Sequence, residues 1–138
     1  MTPFSRIMWS NLPRRNAMFD HVGLNVRDYA ASRAFYEQAL APLGYGVVMA
    51  FEEWKAVGFG TDAKPEFWVS EREPFGTGTH VAFACDDHAT VDAFHTAALA
   101  AGGRDNGPPG LREHYHPTYY GAFVLDLDGN NVEAVCHR

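Results

Sequence analysis

At 138 residues the chain is long enough to bury one substantial core and short for two. Its 46% hydrophobic and 20% charged residues exclude a disordered polymer. A net charge of -6 argues against a nucleic-acid partner, whose phosphates need a basic surface, and no apolar run approaches the roughly 20 residues of a membrane span. Cys85 and Cys136 are too few for a disulfide framework and lack zinc-ribbon spacing. They read as small buried residues of a reducing, cytoplasmic protein.

Residues 1–18 form an N-terminal extension without a continuous apolar stretch, so it does not read as a signal peptide. Phe4, Met8 and Trp9 are its candidate contacts with the body or with a second subunit. Residues 19–26 alternate as a strand, with His21, Gly23 and Asn25 on one face and Val22, Leu24 and Val26 on the other. Asp28 offers a helix N-cap. Ala31, Phe35, Ala39 and Leu43 then trace one helical face, and Gly44 is the stop. Residues 45–51 and 54–60 predict a hairpin around Glu52 and Glu53, and residues 66–70 a further strand.

After a loop at 74–78 the order recurs. Residues 79–85 predict a strand and 87–101 a helix. Residues 102–110 read as a loop, because two prolines and four glycines leave little regular structure. A short strand is expected within 111–118. A closing hairpin over 119–125 and 131–137 follows, around the turn at 126–130.

The recurrence is written in the residues. His21 to Gly44 slides without a gap onto His80 to Gly103, matching His21/His80, Val22/Val81, Asp28/Asp87, Phe35/Phe94 and Gly44/Gly103. Such a repeat implies two similar half-sheets related by a pseudo-two-fold. The expected fold is α+β: two paired β-α-β-β-β units, about 19–71 and 78–138, in one domain over 19–138. They form a curved mixed sheet with an open concave face and helices behind it.

His21 and His80 are equivalent in the repeat, so the pseudo-symmetry is expected to bring them to one centre. Glu133 sits in Val132-Glu133-Ala134-Val135, a strand otherwise built for burial, where a divalent cation would compensate its charge. Two imidazoles and a carboxylate suit Fe, Mn, Zn, Ni or Co. The alternative is that all three are hydrogen-bonded core residues. The run from Arg112 to Pro117 is expected to overhang the concave face. There Arg112 would hold an anionic group, Tyr115 would contact substrate and His116 would act as acid or base; a plain surface loop is the alternative. His88 and His95 read as helix-rim residues, and His137 lies about 13 Å along the strand from Glu133.

The paired units, the opening FDHVGLNVRDYAASRAFYEQAL, the strand HVAFAC and the closing YYGAFVLDLDGNNVEAVCH resemble the vicinal oxygen chelate superfamily. That group holds glyoxalase I, extradiol dioxygenases, fosfomycin-modifying enzymes and bleomycin-resistance proteins. The resemblance covers about residues 19–138. It implies one divalent metal on His21, His80 and Glu133, with Trp68 at the fourth position, and a homodimer. Extradiol dioxygenases carry a tyrosine and a proline where this chain has Phe123 and Leu127. Glyoxalase I carries an acid where this chain has Trp68. The implied function is a metal-dependent lyase, isomerase or dioxygenase acting on a small oxygen-bearing metabolite, with Glu133 and His116 catalytic. Trp54, Trp68, Arg112, Tyr115 and Tyr120 would line the substrate site. The alternative is a metal-free binding protein that sequesters an aromatic compound between Trp54, Trp68 and Tyr119 or Tyr120.

Overall fold

The two units start in the same way because the repeat conserves a strand face and a cap. In the computed structural model, which describes residues 18–138, β1 (Val22–Val26) buries Leu24 and Val26. Phe4, Met8 and Trp9 lie outside the described residues. Asp28, two residues past β1, is extended and accepts the Ala31 N–H at 3.0 Å, capping α1 (Tyr29–Leu40). Asp87 accepts the Thr90 N–H at 2.7 Å and caps α2 (His88–Ala100). The matched aspartates are therefore caps. Pro42 turns the end of α1 into a 3-10 turn, Ala41–Leu43, and Gly44 closes it at a φ of 83°, where a side chain would be strained.

The first sheet adds β2 (Gly46–Phe51), β3 (Ala56–Thr61) and β4 (Lys64–Glu71) in the order β1-β4-β3-β2, with β1 parallel to β4. The second contains β5 (His80–Ala84), β6 (Arg104–Leu111), β7 (Tyr120–Leu125) and β8 (Asn131–Cys136), in the equivalent order β5-β8-β7-β6. The two sheets are separate. They meet through α1 packed on α2 and through one apolar core, in which Phe83 of β5 lies edge-on to Phe67 of β4 at 5.2 Å. Each such ring contributes about 1.5–3 kcal/mol when fully buried. No helix among the described residues is long and apolar enough to cross a membrane.

A buried polar clamp fixes the units against each other. The Tyr36 hydroxyl donates to Asp126 Oδ2 at 2.5 Å, and Asp126 also accepts the backbone N–H groups of Asp128 and Asn130. Asp128 in turn accepts from Arg27 N–H at 3.1 Å and from the Ser32 hydroxyl at 3.4 Å. The β7–β8 turn is thereby held on the first turn of α1.

Two expectations are corrected. Residues 102–110 contain not a loop but most of β6. Pro108 and Pro109 are tolerated because β6 is an edge strand, paired only with β7 and bulged on both sides of Gly107. Residues 111–118 hold no separate strand beyond the end of β6 at Leu111. Tyr115 N–H and His116 N–H both turn back to Arg112 O, at 2.9 and 3.3 Å, so local turns take the backbone donors that a ladder would use.

Candidate functional site

Register builds the centre of the second unit. Glu133 of β8 lies opposite Ala82 of β5 and Phe123 of β7, and its neighbours Val132 and Ala134 alternate into the core. Glu133 is fully buried, so its charge needs partners. It has two. His80 Nε2 lies 2.7 Å from Oε1, and the Tyr119 hydroxyl donates to Oε2. Burial first, and then the Glu133 carboxylate, push the Tyr119 phenol far above its ordinary pKa and keep it a donor. Gly121 makes room for this contact. A Cβ there would lie 3.1 Å from Tyr119 Cε1 and 3.3 Å from Glu133 Oε2.

Around this centre the Tyr119 ring is edge-on to Tyr115 at 5.1 Å and to His137 at 5.2 Å. Arg112 sits 5.5 Å above the Phe123 ring and donates to the carbonyls of Gly110 and Pro108, at 2.8 and 2.6 Å. Two guanidinium nitrogens are thus held by carbonyls of β6, the strand that Arg112 follows. His116 accepts the Thr118 N–H on Nδ1 at 3.2 Å, and its ring is 6.0 Å from that of His137. It therefore reaches the neighbourhood of Glu133 only through His137 and Tyr119.

The first unit offers a different surface. Trp68 of β4 lies opposite Gly23 of β1 and Gly58 of β3, which makes it the register counterpart of Glu133. Gly58 is what admits it: a Cβ there would stand 3.0 Å from two indole carbons. Phe51 stacks on Trp68 at 6.2 Å and 10°, and Trp54 packs on Phe51 at 5.0 Å, giving an aromatic strip that ends in an exposed indole. His21 is exposed, with Nδ1 2.8 Å from Asp20 Oδ1. That hydrogen bond, and then Lys64, hold the Asp20 carboxyl below its ordinary pKa. A cavity of about 240 Å³ opens beside His21, walled by Tyr45, Phe67 and Phe83.

The model of the Glyoxalase/Bleomycin resistance protein/Dioxygenase superfamily matches residues 18–134. The chain belongs to this superfamily. A glyoxalase/bleomycin resistance protein from Albidiferax ferrireducens T118 is 30% identical over 87% of this chain and 98% of that one, with a TM-score of 0.74. A superfamily enzyme from Burkholderia phytofirmans PsJN is 23% identical over 88% and 100% of the two chains, with a TM-score of 0.65. The lactoylglutathione lyase of Agrobacterium tumefaciens is 21% identical over 90% and 96%, with a TM-score of 0.62. At those two identities the likeness is one of fold. Comparison with curated proteins found no match.

In this glyoxalase-superfamily chain the expected ligands are only partly united. His80 and Glu133 meet; His21 stays with Asp20 in the first unit, and among the described residues no three His, Cys, Asp or Glu side chains converge. Repeat symmetry makes His21 and His80 equivalent, but they start edge strands of separate sheets and take different partners, Asp20 for His21 and Glu133 for His80. Tyr120 is also relocated. The first residue of β7, just after Tyr119, it points to the opposite face, donates to Asp92 of α2 at 2.6 Å and stacks on His88 at 3.8 Å. Sequence reasoning singled out Tyr120 for the site and gave Tyr119 no role beside Glu133. The available signal was alternation: a residue 14 before Glu133, just outside the paired strand and in phase with Gly121 and Phe123, belongs to its face.

Proposed function

We propose that the protein is a metal-dependent enzyme of its superfamily, acting on a small oxygen-bearing metabolite at a site shared between two copies of the chain. The observation that carries this reading is the His80–Glu133 pair, an imidazole nitrogen and a buried carboxylate oxygen 2.7 Å apart. Two donors that each lie about 2 Å from one cation stand about 3 Å apart, so an ion entering between them asks for little rearrangement. Within one chain the donor set stops at two. His21 of a second copy would supply the third: its Nδ1 is already engaged by Asp20, the outer carboxylate that metal-ligating histidines commonly have. A divalent cation held there would polarise a substrate oxygen as a Lewis acid.

The chain's own residues then divide the work. Trp68, Phe51 and Trp54 would form the apolar wall for the substrate, and Phe123 and Tyr115 would close the polar side. His116, exposed and fixed at Nδ1, would be the proton carrier of the rim. A second reading is supported by the aromatic strip, which needs no metal to bind a flat compound. Metal analysis of protein purified without chelator separates the two. Near-stoichiometric Fe, Mn, Zn, Ni or Co supports the enzyme; well under half a metal per chain, with no uptake on titration, overturns it in favour of the binding protein.

A further inference from the structure

We propose that Tyr119 is a positioning residue that holds Glu133 as a one-oxygen donor, an inference that rests on the metal site proposed above. The two carboxylate oxygens have separate partners: Oε1 faces His80 Nε2, and Oε2 accepts from the Tyr119 hydroxyl. A cation entering between His80 and Glu133 replaces only the first contact. The phenol stays on Oε2, fixes the plane of the carboxylate and prevents that oxygen from turning in as a second donor.

The arrangement is built in rather than incidental. Tyr119 is fastened by its own backbone, donating to His116 O at 3.0 Å and accepting from Arg112 N–H at 2.7 Å. Its ring is wedged between Tyr115 and His137. His137 is itself tethered, because the Thr118 hydroxyl donates to its carbonyl at 2.7 Å. Below the ring, Gly121 leaves space that even a methyl group would take from both the phenol and the carboxylate. Removing only the hydroxyl therefore leaves the ring in place and releases Oε2. That isolates the positioning role from the packing role.

The test is Co(II) binding to the full-length chain, read by calorimetry and by the visible absorption of the bound ion. The wild-type chain should bind, and Tyr119→Phe should bind about 10- to 100-fold more weakly, the usual effect of losing a partner of a ligand. Its absorption bands should change as Oε2 becomes free to coordinate, which a purely structural residue would not cause. A wild-type chain that takes up no Co(II) overturns the metal site and this inference with it. A wild-type chain that binds while Tyr119→Phe keeps its affinity and spectrum overturns this inference alone. If Tyr119→Phe does not fold, Gly121→Ala carries the test, since its Cβ would stand 3.1 Å from the Tyr119 ring and 3.3 Å from Glu133 Oε2 and so makes their contact give way. Weaker binding with altered bands is expected there, and unchanged bands overturn the proposal.

Discussion

Replacing Glu133 by Gln separates the electrostatic from the structural role of the buried carboxylate. The side chain keeps its shape: the amide oxygen can accept from Tyr119, and the amide N–H can face His80 Nε2. Hydrogen bonds to a charged group contribute about 1.5–3 kcal/mol and neutral ones about 0.5–1.5, so two exchanged bonds cost about 2–3 kcal/mol. Against this, burying a fully covered carboxylate carries a desolvation cost of several kcal/mol that the amide avoids. His80 is 53% exposed, so water screens its half of the pair and lowers the cost of losing the contact. The terms nearly cancel, and Glu133→Gln should lie within about 1 kcal/mol of the wild type in urea unfolding followed by tryptophan fluorescence. Co(II) uptake should fall by well over the 10- to 100-fold expected for an outer partner, because a ligand itself is lost. Destabilisation by about 3 kcal/mol or more with metal uptake unchanged would refute this reasoning and make Glu133 a structural ion.

Tyr36→Phe removes the donor of the inter-unit clamp and should cost about 1.5–3 kcal/mol. That corresponds to a fall of about 6–12 °C in Tm for a domain of this size, measured by calorimetry. Asp105 is held below its ordinary pKa by His95 and then by the Gly107 N–H, so its contribution is present above the unfolded value near 4 and is lost as pH falls through the folded one. Asp105→Asn should therefore lower stability at about pH 6, and the difference from wild type should shrink as the pH falls below about 4, in paired urea titrations. Sedimentation should show a dimer at micromolar concentration; a monomer that still binds one metal per chain would place all three ligands in one chain.

Much of the frame was legible because it depends on local chemistry. The aspartate match in the repeat reported two helix caps, and the alternation in 19–26 reported which face of β1 is buried. The equivalence of Trp68 and Glu133 was readable as well, since it follows from aligning the last strand of each unit, and the register repeats it: Trp68 pairs with Gly23 as Glu133 pairs with Ala82. What could not be read is the placement of one sheet against the other. That depends on which helix faces pack and on a core shared by Phe67 and Phe83, and no periodicity encodes it. For the same reason β6 was missed. Prolines and glycines weigh against a strand only where both ladder sides must be satisfied, and edge position is a property of the assembled sheet.

The two units also show how one frame yields two unlike surfaces. At the central position of the parallel strand, the first unit sets an indole between Gly23 and Gly58, and the second sets a carboxylate between Ala82 and Phe123. The bulk has moved from the flanks to the centre in one unit and from the centre to a flank in the other. An indole lying over Gly58 can spread flat beside Phe51 and offer its face to a ligand. A carboxylate beside Phe123 and under Tyr119 is shielded from water, which strengthens its interaction with any cation that reaches it. Neither surface is sufficient for chelation chemistry by itself. The first has a histidine, Asp20 and a wall, and the second has a histidine and an acid. Their features are complementary rather than duplicate, as the proposed site between the first unit of one copy and the second unit of another would need.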